Sequence, residues 1–80
     1  MNNIEDIIYE SLEEITGLGI EDLKQIKDLN LFENGVLDSL SFVNFISYFE
    51  KKTNKKCDIT KLKIIDITSI EKLIETLSRI

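Results

Sequence analysis

Apolar residues recur at helical spacing in several stretches of this chain, and no segment alternates apolar with polar over a useful length. Ile4, Ile8, Leu12 and Ile15 form one stripe, which predicts a first helix from Asn3 to Thr16. Asn3 is placed to cap it, Glu5 and Asp6 stand in its positive first turn, and Gly17 and Gly19 are expected to end it. A second long helix is expected from Ser39 to Thr53, with Asp38 as its N-cap. At 100° per residue, Phe42, Phe45, Ile46 and Phe49 share one face of that helix, which reads as core. Leu40, Asn44, Ser47 and Lys51 share the opposite face, and Val43 lies at the border. Ile59, Leu62, Ile64, Ile65 and Ile67 suggest a short third helix of poor periodicity. Ile70, Leu73, Ile74 and Leu77 mark a last helix. It is opened by a capping box in which Glu71 reaches back to Thr68.

Between the first two long helices runs a long connection, from Gly17 to Leu37. Connections of this length are uncommon and often functional. Ile20, Leu23, Ile26, Leu29, Leu31 and Phe32 are spaced to pin it to the core, and residues 20–26 could hold a short helical turn. Asn34 and Gly35 mark a tight turn. The expected fold is all-α: a four-helix bundle with three longer helices, one short third helix and a long loop between helices 1 and 2, forming one domain over residues 1–80.

Composition narrows the chemistry. The chain has no histidine and one cysteine, Cys57. No imidazole base is available for a serine or cysteine triad, and zinc of the usual Cys/His kind has no ligand set. Asp28, Leu29 and Asn30 begin like a calcium loop, but Phe32, Glu33 and Ser39 stand where an oxygen ligand, a glycine and the closing glutamate are needed. Conventional catalysis is therefore not expected. Cys57 reads as a small packing residue, and a lone thiol fits a reducing compartment.

Net charge is −5 and uneven. Residues 1–23 hold seven acids and no base, whereas residues 51–80 hold eight bases and four acids. The acidic balance argues against nucleic acid, where affinity comes from neutralising phosphates. Lys51, Lys52, Lys55 and Lys56 read as a solvated helix end. No apolar run approaches the roughly 20 residues of a membrane span, and the acidic N-terminus does not resemble a signal peptide. A soluble, cytoplasmic monomer is expected.

The informative run is Leu31-Phe-Glu-Asn-Gly-Val-Leu-Asp-Ser-Leu40. Asp38-Ser39-Leu40 follows a glycine turn and a pinned loop, and it opens an amphipathic helix near the middle of a small acidic helical chain. On its own the tripeptide is an ordinary capping segment. In this setting the chain resembles the acyl carrier protein family along nearly its whole length, and this run looks most like the D-alanyl and peptidyl stand-alone carriers. The resemblance implies that Ser39 accepts 4′-phosphopantetheine from coenzyme A through a phosphopantetheinyl transferase. It further implies that Asp38 helps position the serine. The cargo, an acyl or aminoacyl group, would be held as a thioester, loaded by an adenylating enzyme and passed to downstream acyl-transfer enzymes. The chain itself would not be an enzyme.

Fatty-acid carriers typically present an acidic second helix; here the outward positions are Ser41, Asn44, Ser47 and Lys51, with Glu50 the only acid. Partners are therefore expected to read Leu40, Val43, Asn44 and Ser47 in a specialised aminoacyl, D-alanyl, peptidyl or polyketide-type pathway. The bulk of Phe42, Phe45 and Phe49 points to a short or polar cargo. The alternatives are a general fatty-acid carrier and, outside the class, a helical interaction adaptor in which Ser39 is only part of a helix start.

Overall fold

The computed structural model describes residues 3–56 and 68–78. The expected short third helix and Cys57 lie outside the described residues. Among the described residues four helices and no strand are found: α1 (Ile4–Thr16), α2 (Ile20–Gln25), α3 (Ser39–Thr53) and α4 (Ile70–Leu77). The architecture is all-α, as the apolar periodicity requires.

α1 starts where Asn3 Oδ1 accepts the Asp6 amide at 2.8 Å. It stops at Gly17, whose φ of 77° is left-handed and whose N–H closes on the Glu13 carbonyl at 2.9 Å. α2, α3 and α4 all pack against α1. Its buried face is accordingly wider than a single stripe: Ile8 and Leu12 are fully buried, and Ile7, Tyr9 and Ser11 are buried with them. The Ser11 hydroxyl is satisfied by the Ile7 carbonyl at 2.7 Å, so this polar side chain enters the core without an unpaired group.

Gly19 does not help to end α1. It opens α2, with extended φ and ψ of −66° and 156°, and its carbonyl takes the Leu23 amide at 3.0 Å. Leu23 and Leu31 are fully buried and hold the long connection down, with Ile20, Ile26 and Phe32 packed at the edge of the core. Leu29, expected among these pins, is instead 44% exposed. The turn after it is organised by Asn30, whose Oδ1 accepts the Glu33 amide at 2.9 Å and whose carbonyl accepts the Asn34 side-chain amide at 2.7 Å. Gly35 then adopts a left-handed φ of 72°.

The last helix begins one residue later than the expected capping box. Ser69, not Thr68, is the N-cap, and its Oγ accepts the Lys72 amide at 3.2 Å. Two backbone bonds explain the shift. The Thr68 carbonyl accepts the Leu31 amide at 2.6 Å, and the Glu71 amide donates to the Lys27 carbonyl at 3.1 Å. These bonds tie the start of α4 to the α2–α3 connection, and the next cap-competent residue takes over. Ile70, Leu73 and Leu77 are buried below it. Burial of each such side chain is worth about 1.5–3 kcal/mol.

Candidate functional site

α3 begins at an abrupt change from core to surface. Leu37 is buried, and its amide is held by the Leu31 carbonyl at 3.1 Å, a carbonyl that also accepts the Val36 amide at 2.9 Å. Phe42 is buried on the other side. Between these anchors Asp38, Ser39 and Leu40 are exposed. A chain pinned at both ends of so short a span holds the intervening side chains in a defined place without covering them.

Asp38 is the N-cap, in extended conformation at φ −123°. Its carboxylate accepts the Ser41 amide at 2.8 Å, while its own carbonyl takes the Phe42 amide at 2.8 Å as the first bond of the helix. The carboxyl titrates below its ordinary 3.8, first because of the Ser41 N–H, then through the Ser41 hydroxyl, with smaller help from the Leu40 amide. Ser41 is thus a residue whose role sequence reasoning missed. The available signal was a hydroxyl three positions after an aspartate cap.

Ser39 is the first residue of α3 and is exposed. Its hydroxyl is a primary alcohol at the positive end of a helix. The chain contains no histidine to deprotonate it, and the neighbouring carboxylate is engaged as a cap. Ser39 is therefore an exposed hydroxyl with no histidine in the chain to act as its base. A phosphate ester on this oxygen would meet the helix dipole, with Asp38 already holding the Ser41 amide. The open position of the side chain accommodates such a group.

Along α3 the structure aligns the other expected residues on one exposed line. Leu40 is 71% exposed and Val43 44%, with Asn44 and Ser47 exposed beside them. Their positions, i, i+3, i+4 and i+7 from Leu40, lie on one helical face next to Ser39. The opposite face carries a ladder of tilted rings. Phe32–Phe42, Phe42–Phe45 and Phe45–Phe49 have centroids 6.0, 6.1 and 6.2 Å apart. The space toward the expected third helix lies outside the described residues. No described helix is long and apolar enough to cross a membrane.

Comparison with known proteins agrees with this helical frame. The family model for a phosphopantetheine attachment site matches residues 6–77. The chain belongs to that family, the acyl-carrier-like proteins that bear 4′-phosphopantetheine and work with partner enzymes. Among curated proteins, the D-alanyl carrier protein of Streptococcus uberis is 38% identical over 58 residues, covering 72% of this chain and 73% of that protein.

Proposed function

We propose that Ser39 Oγ is the attachment point of the 4′-phosphopantetheine arm and that the chain, as one carrier domain, conveys a D-alanyl group between enzymes. The observation that carries the first part is the presentation of Ser39: an exposed hydroxyl at the first position of α3, between the buried anchors Leu37 and Phe42. In the transfer, Ser39 Oγ attacks the phosphorus of coenzyme A that bears the pantetheine chain. The new Oγ–P bond forms as the bond to the bridging oxygen breaks, 3′,5′-adenosine bisphosphate leaves, and the hydroxyl proton passes to a base of the transferase. The bound arm supplies a terminal thiol, which holds the cargo as a thioester. Asp38 keeps the first turn of α3 wound, which fixes the direction in which Ser39 leaves the surface.

The D-alanyl assignment rests on similarity to the streptococcal carrier and on the nearly uncharged line of Leu40, Val43, Asn44 and Ser47 beside the site. That line offers partners an apolar and neutral contact. An adenylating enzyme that activates D-alanine is the expected loader. The test is a loading assay on the phosphopantetheinylated chain, with D-alanine-, L-alanine- and fatty-acid-activating enzymes compared. Preferential acylation by the D-alanine enzyme supports the reading. Preferential acylation by a fatty-acid enzyme would replace it with the general fatty-acid carrier.

A further inference from the structure

α2, α3 and α4 each pack against α1, and among the described residues the backbones of these three helices do not approach one another. A pair of backbone hydrogen bonds joins the α2–α3 connection to α4. The Leu31 amide donates to the Thr68 carbonyl at 2.6 Å, and the Glu71 amide donates to the Lys27 carbonyl at 3.1 Å. The connection donates one bond and accepts the other, so the two strands of chain cannot part without breaking both. Leu31 and Ile70, on either side of the first bond, are fully buried, and separation exposes apolar surface as well as peptide groups.

Leu31 is also tied in the other direction. Its carbonyl accepts the Val36 amide at 2.9 Å and the Leu37 amide at 3.1 Å, directly before Asp38 and Ser39. One residue thus gives its N–H to the start of α4 and its carbonyl to the turn that presents Ser39. Outside these bonds that turn is thinly held. Glu33, Asn34 and Gly35 are exposed, and its remaining bonds are those of Asn30 to Glu33 and Asn34. Exposed backbone bonds and few buried side chains mark a segment that opens below the global unfolding free energy.

We propose that the Leu31 bonds form a latch: the turn that presents Ser39 and the first turn of α4 come off α1 as one unit, before the rest of the fold. A partner that draws either end away therefore loosens the other. The latch does not depend on Ser39 carrying the arm.

The experiment is native-state amide hydrogen exchange on the full chain in low urea, under conditions where the rate reports the opening equilibrium. Val36 and Leu37 report the Ser39 turn. Glu71 reports α4, together with Leu73, whose N–H binds the Ser69 carbonyl at 2.9 Å. Leu12, fully buried in α1, reports global unfolding. The latch predicts one opening free energy and one urea slope for Val36, Leu37, Glu71 and Leu73, both smaller than at Leu12. Ser69→Ala removes the cap of α4 and should speed exchange roughly fivefold at Leu73, the scale of a lost cap. The same factor is expected at Val36 and Leu37. Asn30→Ala loosens the turn alone, and it should speed Glu71 and Leu73 as much as Val36 and Leu37. Acceleration confined to the altered end would overturn the latch, as would different openings at the two ends of the parent chain. Opening of all these amides with the slope of Leu12 would overturn it too, because the two ends would then part only in global unfolding.

Discussion

α3 and α4 begin with the same local device and put it to opposite uses. In each, a polar N-cap accepts the amide three residues on: Asp38 from Ser41 at 2.8 Å, Ser69 from Lys72 at 3.2 Å. In each, a serine stands at the helix start. Ser69, however, is only 7% exposed and is followed by the fully buried Ile70, and the backbone on either side is bonded to Leu31 and Lys27. The start of α4 is a structural joint. The start of α3 has its bonds to the rest of the chain one step earlier, at Leu37, and its serine faces outward. A serine at a helix N-terminus is therefore not a site by virtue of its local geometry. Ser39 differs from Ser69 in being exposed between two buried anchors and in following the cap, whereas Ser69 is the cap itself.

That contrast can be tested by damaging each side of it. The largest loss of stability belongs to the joint. Ile70→Ala should lower unfolding free energy by about 2–5 kcal/mol, the usual range for emptying a core site, measured by urea denaturation. The fraction that remains folded should still be phosphopantetheinylated. On the α3 side, Leu40→Asp should leave stability within about 0.5 kcal/mol of the parent, as expected of an exposed position. It should cut aminoacyl loading much more than Glu50→Gln does; equal effects would remove the neutral α3 face from partner recognition. A smaller effect is expected from Ser69→Ala, which loses a cap and should cost about 1 kcal/mol without changing modification. The smallest is a pH effect at Asp38. Its folded-state carboxyl titrates below the ordinary 3.8, so its contribution is present above that value and is lost as pH falls through the lowered one. Carboxyl NMR titration should show Asp38 returning toward the ordinary value when Ser41 is replaced by Pro, which removes the donated N–H.

Much of the fold was legible because the signals were local. Asn3, Gly17, Asp38 and the Phe42–Phe45–Phe49 spacing are each read from a few neighbouring residues, and α1 and α3 begin and end where those residues place them. Of the departures, one came from a contact distant in sequence and two from local turns. Thr68 lost the cap of α4 because its carbonyl is bonded to Leu31. Leu29 left the core because the turn is wound by Asn30. Gly19, close behind one helix end, proved to be the next helix start. The exposed line from Leu40 to Ser47 followed from helical periodicity, whereas the burial of Tyr9 did not. Tyr9 belongs to no simple apolar stripe, and its surroundings are assembled from α1, α2 and α4.

The most direct measurement is intact mass after incubation with coenzyme A and a phosphopantetheinyl transferase, run in parallel on the parent chain, Ser39→Ala and Ser69→Ala. The parent and Ser69→Ala should each gain the mass of one phosphopantetheine, and Ser39→Ala should gain none while keeping the parent's helical circular dichroism. A mass gain on Ser39→Ala, or its loss on folded Ser69→Ala, would contradict the assignment of Ser39 as the attachment point.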